Sequence, residues 1–144
     1  MLRTTLEYAV PAPVAFAYLA DPVHRPEWQS SLKGVELLDA GPGAVPAVGL
    51  RWLDHTAVGM SPEMVITELE PDVLWAETGR WRAIEADLTL RFVPRGAGCR
   101  VEAAFEVRGP GLLRPVGWAA TAAGLVAVRS DLRKAGRILT GRTS

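Results

Sequence analysis

The stretch CRVEAAFEVR, residues 99–108, decides the fold class because apolar and polar side chains alternate along it. Cys99, Val101, Ala103, Phe105 and Val107 share one face, while the charged residues share the other. A period of two with one apolar face is typical of a β-strand that is buried on one face and solvated on the other. The stretch therefore predicts a strand at the surface of an apolar core.

Six further segments show strand character. Residues 83–93 alternate in the same way, and Arg95-Gly-Ala-Gly98 between the two alternating segments predicts a hairpin turn. Clean alternation with short connections indicates antiparallel strands with one face covered. The other five predicted strands span residues 2–10, 32–40, 48–58, 63–70 and 73–80.

Three helices complete the predicted order. Pro13 can open a helix over 13–20, because its missing N–H is not needed in the first turn. A second short helix is predicted over 23–30, with Trp28 as its apolar anchor. The segment 112–139 has apolar residues at helical spacing and is the only one long enough to cover the sheet. Its first half is rich in Ala and Gly, which lets a helix approach a sheet closely or leaves volume for something else.

Composition narrows the classes of function. The 144 residues suit a single domain, 1–144, and 16 basic residues balance 16 acidic ones without any basic run. A nucleic-acid partner is therefore not expected, since it requires a cationic surface. The start of the chain has no apolar signal segment and no apolar stretch is long enough to span a bilayer, so we expect a cytoplasmic protein without stable membrane insertion. Cys99 is the only cysteine, which excludes an intrachain disulfide.

The order β-α-α-β6-α, together with a series of short motifs, resembles the START-like (SRPBCC) superfamily, in particular its polyketide cyclase/dehydrase branch. The motifs are Val10-Pro-Ala-Pro13, the following stretch to Asp21-Pro22, Pro26-Glu27-Trp28, Pro42-Gly43, Gly49, residues 67–71 and Gly98-Cys99-Arg100-Val101.

This resemblance implies an α+β helix-grip fold, in which seven antiparallel strands curve around the C-terminal helix and enclose a cavity. Members bind lipids, sterols, polyketides or other apolar molecules, and some catalyse cyclisation or dehydration. The superfamily has no universal catalytic residue, so none is carried over. The Pro26-Glu27-Trp28 motif is expected to fix the second helix against the sheet, with a ligand role as the alternative.

The sequence contains no signature of metal, nucleotide or covalent chemistry. His24, His55 and Cys99 lack the spacing of metal ligands, no serine lies in a GxSxG context, and no glycine-rich loop has a phosphate-binding pattern. We therefore expect no metal, no cofactor and no covalent intermediate.

Acid–base chemistry is the remaining catalytic possibility. In the predicted third strand, Asp54 has the same parity as the apolar residues Leu50 and Trp52, so it would enter the cavity with Thr56 beside it. Burial there would raise the pKa of its carboxyl, which suits proton transfer. The alternative is that the strand bulges or ends near Asp54 and leaves the carboxylate in solvent.

The predicted cavity wall combines inward strand residues with aromatic groups. Tyr8 could orient a ligand through its hydroxyl or serve as a core tyrosine, and Trp52 and Trp118 are candidates for flat walls or core fillers. The complete set of candidate ligand-binding residues is Tyr8, Leu50, Trp52, Thr56, Leu88, Leu90, Ala103, Phe105 and Trp118.

Three functions follow as hypotheses. The first is a monomer or homodimer that binds a small apolar ligand of the lipid or polyketide type. The second is a cyclase or dehydratase that uses acid–base groups in the same cavity, with Asp54 as the candidate catalytic residue. The third is a non-catalytic interaction or stress-associated module.

Overall fold

The computed structural model describes residues 1–41, 43–111 and 114–143, and it confirms the predicted fold class and element order. A seven-stranded antiparallel sheet has the strand order β1-β7-β6-β5-β4-β3-β2. Its strands are β1 (Leu2–Tyr8), β2 (Leu32–Leu38), β3 (Arg51–Thr56), β4 (Glu63–Glu70), β5 (Leu74–Trp81), β6 (Ile84–Arg95) and β7 (Gly98–Arg108). The helices are α1 (Ala12–Leu19), α2 (Arg25–Trp28) and α3 (Arg114–Thr143), with a 3-10 turn at Pro22–His24.

Most elements agree with the predicted ones to within two residues at each end, and the differences are largest at β3 and α3. The third strand is shorter than the predicted 48–58, because residues 48–50 form a turn and the strand ends at Thr56 in the turn that leads to β4. The long helix continues to Thr143, four residues beyond its predicted end. Leu112 and Leu113, with which that helix was predicted to begin, lie outside the described residues, as does Pro42.

The two longest strands, β6 and β7, form the hairpin that the alternation predicted. They pair antiparallel over their whole length, with Leu88 opposite Phe105 and Leu90 opposite Ala103. Leu90 and Val101 are among the most deeply buried residues of the chain. The inner face of this hairpin therefore supports the apolar core, and its polar residues face the other way.

Helix α3 lies across β7 and β1 on the inner face of the sheet, and its glycines make the contact close. A Cβ added at Gly117 would stand 3.1 Å from the Val107 carbonyl oxygen, and one at Gly136 would stand 2.9 Å from the Tyr8 ring. Between them, the Val107 N–H donates a 2.8 Å hydrogen bond to the Thr121 hydroxyl. The small residues of the helix thus allow the close approach to the sheet that the sequence indicated.

The short helices close the other side of the core. Helix α1 buries Ala15, Phe16 and Leu19, and the Phe16 ring meets that of Phe92 edge to face at 5.4 Å. Pro26 lies in the first turn of α2, where its missing N–H costs nothing. Among the described residues, no helix is both long and apolar enough to cross a membrane.

Candidate functional site

A pocket of about 480 Å³ lies between the inner face of the sheet and α3. Most of its wall is apolar, and its polar side chains come from α2 and the residues that follow it, from β3, from β5 and from α3. The lining residues are Arg25, Trp28, Gln29, Ser31, Asp54, Thr56, Met60, Pro62, Met64, Glu77, Gly79, Trp81, Ile84, Ala86, Leu88, Phe105, Val107, Gly124, Ala127, Val128, Asp131 and Leu132.

A buried ion pair forms the centre of the polar end. The two terminal nitrogens of Arg25 donate to the two carboxylate oxygens of Glu77 at 2.6 and 2.9 Å, while Nε donates to Gln29 at 3.1 Å. The guanidinium carbon also lies 5.4 Å from the Trp28 ring centre and 5.6 Å from that of Trp52. Bidentate pairing and aromatic contact together offset the cost of burying these two charges.

Burial and charge act in opposite directions on the two partners. Burial disfavours the charged guanidinium, but the Glu77 and Asp54 carboxyls outweigh that effect and raise the pKa of Arg25. Burial raises the pKa of the Glu77 carboxyl, against the opposing influence of Arg25. The arrangement keeps Arg25 charged and makes the surrounding carboxyls better proton acceptors than exposed ones.

Asp54 is buried beside this pair, within β3. Its Oδ1 accepts a 2.8 Å hydrogen bond from the Trp52 indole N–H, and none of the described residues donates a hydrogen bond to Oδ2. Burial raises the pKa of Asp54, while Arg25 and the Trp52 hydrogen bond oppose the rise. The alternative that leaves the Asp54 carboxylate in solvent is excluded, since the residue is 3% exposed although β3 ends two residues later, at Thr56.

A third carboxyl reaches the same end of the pocket from α3. Asp131 Oδ1 accepts a hydrogen bond from the Ser30 N–H at 3.3 Å. Burial raises the pKa of Asp131, with Ser30 and Lys134 opposing the rise. Because the fields of Asp54, Glu77 and Asp131 all reach Arg25, three carboxyls surround one guanidinium.

Trp28 supplies a further polar atom to the site. The residue is 4% exposed and lines the pocket, and its indole nitrogen has no hydrogen-bond partner among the described residues. A buried donor without a partner costs about 1–3 kcal/mol, so such atoms are rare and call for an explanation.

Four of the sequence-predicted site residues line this pocket: Asp54, Thr56, Leu88 and Phe105. The Thr56 hydroxyl is already occupied, because it donates to the Met60 carbonyl at 2.7 Å and accepts from the Met60 N–H at 3.1 Å. It therefore contributes shape to the pocket more than a free polar group.

Four other predicted wall residues lie behind the lining and not in it. Trp52, Leu90 and Ala103 are buried in the core, and Leu50 precedes β3 and packs against the core from its edge. Trp52 still acts on the site through its hydrogen bond to Asp54.

Tyr8 and Trp118 are placed elsewhere. The Tyr8 hydroxyl donates a 2.6 Å hydrogen bond to the Leu132 carbonyl oxygen, so Tyr8 has the role of a core tyrosine that anchors α3. Trp118 is 77% exposed near the start of α3, where it lines a surface depression with Met1, Leu2 and Val107. The expectation that Trp118 forms part of the cavity wall is corrected by this position on the outer side of the helix.

Sequence reasoning did not identify Arg25, Glu77 or Asp131 as site residues. A signal existed for Glu77, because it shares the inner face of β5 with Trp75, Gly79 and Trp81. A carboxyl on an apolar face was the criterion that selected Asp54. Arg25 precedes the Pro26-Glu27-Trp28 motif, but only the tertiary structure brings it to β5.

Among the described residues, no group of three or more His, Cys, Asp or Glu could hold a metal ion.

Comparison with known protein families gives one match over almost the whole chain. The family described as polyketide cyclase/dehydrase and lipid transport matches residues 2–139. No curated protein sequence matches significantly.

Solved structures share the fold at low sequence identity. A Deinococcus radiodurans protein is 23% identical, with 94% of this chain and 92% of that chain covered and a TM-score of 0.63. Norcoclaurine synthase from Thalictrum flavum, in complex with dopamine and hydroxybenzaldehyde, is 14% identical, with 99% and 87% covered and a TM-score of 0.70. The di-domain aromatase/cyclase StfQ of the steffimycin biosynthetic pathway is 14% identical, with a TM-score of 0.74, and 99% of this chain covers 51% of that one.

Proposed function

The chain belongs to the polyketide cyclase/dehydrase and lipid transport family, and we propose that it binds a small, largely apolar ligand of the lipid or polyketide type in the pocket between the sheet and α3. Family and fold are those of hydrophobic-ligand binders. The observation that supports the proposal here is a pocket of about 480 Å³ with an apolar wall and a few buried polar groups at one end. Sites for small molecules usually measure ~300–1,000 Å³ and have this composition.

A neutral fluorescent probe, N-phenyl-1-naphthylamine, tests the proposal directly. We expect saturable binding at one site with a blue shift of the emission. Ala86→Phe, which fills the pocket, should weaken binding at least about tenfold, since a phenyl ring takes the volume that the probe needs. Ala104→Phe places the same ring on the opposite face of the sheet and serves as the matched control. Equal binding by the two variants would remove the pocket as the site.

Native mass spectrometry identifies the natural ligand. Protein purified without denaturation should carry an additional mass that is released on unfolding and that Ala86→Phe reduces. The released compound defines the ligand class, lipid or polyketide.

A second candidate function, acid–base catalysis, is supported by Asp54. A carboxyl that is buried in the pocket, with a raised pKa and one oxygen held by Trp52, is suited to moving protons to and from an enol or a hydroxyl. A cyclisation with dehydration, or a dehydration alone, would leave compounds that differ by one water. We expect Asp54→Asn protein to retain the heavier compound and wild-type protein the lighter one. The same compound in both proteins would argue for binding without chemistry.

A further inference from the structure

The charged side chains at the polar end of the pocket indicate which charge a ligand would carry there, in addition to its apolar body. Both terminal nitrogens of Arg25 donate to Glu77 and its Nε donates to Gln29, so its charge is matched within the protein. Among the described residues of the pocket wall Arg25 is the only cation, and its field also reaches Asp54 and Asp131, so one positive charge faces three carboxyls. A carboxylate or phosphate on a ligand would therefore meet an excess of carboxyl groups over cations there.

A cationic group on a ligand would instead meet carboxylate oxygens that can accept its hydrogen bonds. None of the described residues donates a hydrogen bond to Oδ2 of Asp54, and Asp131 receives a single long one of 3.3 Å. An ammonium group has three N–H donors and one positive charge, and a charge-assisted hydrogen bond is about twice as strong as a neutral one.

The unpartnered Trp28 indole N–H is an independent sign that a ligand atom belongs at this end. The side chain is more than nine-tenths buried, lines the pocket and requires an acceptor. An ammonium group cannot accept a hydrogen bond, whereas a hydroxyl oxygen can. The ligand that satisfies both the carboxyls and Trp28 therefore carries an acceptor oxygen in addition to its ammonium group.

We propose that the pocket selects an apolar amine that also carries a hydroxyl group, placing the ammonium against Asp54 and Asp131 and the oxygen at Trp28. The inference rests on the proposed function, because it names the ligand class of the same pocket. The apolar body of the ligand lies along Met64, Leu88 and Phe105.

The test compares four ligands with the same ten-carbon chain as competitors of N-phenyl-1-naphthylamine at pH 7, below their micellar concentrations: 2-aminodecan-1-ol, decylamine, decan-1-ol and decanoate. We expect affinity to fall in that order, with decylamine at least about tenfold tighter than decanoate. Decanoate binding as tightly as decylamine would overturn the proposal, and so would an amino alcohol that binds no tighter than the amine.

Variants assign the effect to particular residues. Asp54→Asn and Asp131→Asn should each bring the ratio of decylamine to decan-1-ol affinity closer to one. Asp87→Asn is the matched control on the outer face of β6, where Asp87 accepts hydrogen bonds from Thr78 and Arg108, and it should keep the wild-type ratio. An unchanged ratio in both Asp54→Asn and Asp131→Asn would overturn the assignment. Asp131 is only half-buried, so its variant remains informative if Asp54→Asn fails to fold.

The competition experiment gives different results for failure of the proposed function and for failure of the amine preference. If neither the probe nor decan-1-ol binds, the apolar pocket is not a binding site and both proposals fall. If decan-1-ol displaces the probe and decanoate competes as well as decylamine, the pocket binds apolar ligands and only the amine preference is wrong.

Discussion

Gly124 of α3 lies directly against the ring of Phe105 on β7, so that a Cβ at position 124 would overlap the Phe105 Cε1. This contact allows the helix to approach the sheet, and both residues line the pocket. The size of the residue at position 124 therefore controls both the packing of α3 and the volume available to a ligand.

Gly124→Ala should destabilise the protein, although alanine is the better helix former. The added methyl forces the Phe105 ring to move, and overpacking of this kind costs about 1–3 kcal/mol. Gly141→Ala is the matched control in the same helix, because a Cβ there meets nothing within 4 Å, and it should change stability by between zero and about +1 kcal/mol. Urea unfolding measures both. Effects of the same sign and size would contradict the described contact.

Arg25→Met should cost about 3–5 kcal/mol, because it leaves the buried Glu77 carboxylate without its partner. The double variant Arg25→Met/Glu77→Met should recover most of that loss, since two apolar side chains of similar volume replace the pair. Denaturant unfolding of the two single variants and the double variant gives the coupling energy. Simple additivity of the two losses would show that the pair is not coupled.

Tyr8→Phe should lower the free energy of unfolding by about 1 kcal/mol, through loss of the hydrogen bond to the Leu132 carbonyl oxygen. Tyr18→Phe provides the comparison, because the Tyr18 hydroxyl donates to Glu27 near the surface, where water can replace the bond. We expect the effect of the Tyr18 variant to be at most about half as large.

Binding of the neutral probe should persist in Tyr8→Phe, since Tyr8 does not line the pocket.

The stability of the protein should depend on pH through Asp54. Burial raises its pKa in the folded state, against the opposing influence of Arg25, so the folded chain holds this proton more tightly than the unfolded chain does. The contribution of Asp54 to the free energy of unfolding is therefore fully present at low pH, below the ordinary pKa of an aspartate. It is lost as the pH rises through the raised pKa of the folded state.

Asp54→Asn cannot ionise, and its amide oxygen can still accept the Trp52 hydrogen bond. The melting temperature of the variant, relative to wild type, should therefore increase between pH 4 and pH 8 when both are measured by thermal unfolding. Glu77, Asp131, His55 and Arg25 are present in both proteins, so the difference reports on Asp54. A difference that decreases over the same pH range would show that pairing with Arg25 outweighs burial.

The sequence by itself determined the sheet, its inner face and the helix that covers it. Alternation with a period of two assigns each side chain of β6 and β7 to a face, since neighbouring side chains of a strand point in opposite directions. The same rule placed Asp54 on the inner face, and it would have placed Glu77 there if applied to β5. The glycines of α3 indicated close packing because a helix can approach only where side chains are small.

The tertiary structure alone decided which inward residues meet a pocket and which are covered. Leu90 and Trp52 share a parity with Leu88 and Asp54, yet they are buried in the core and do not line the pocket, because a period of two assigns a side chain to a face but not what covers it there. Arg25 reaches Glu77 across 52 positions of sequence, a pairing that no local pattern specifies. The charge balance of the pocket, and with it the class of ligand that the pocket favours, follows from that long-range contact.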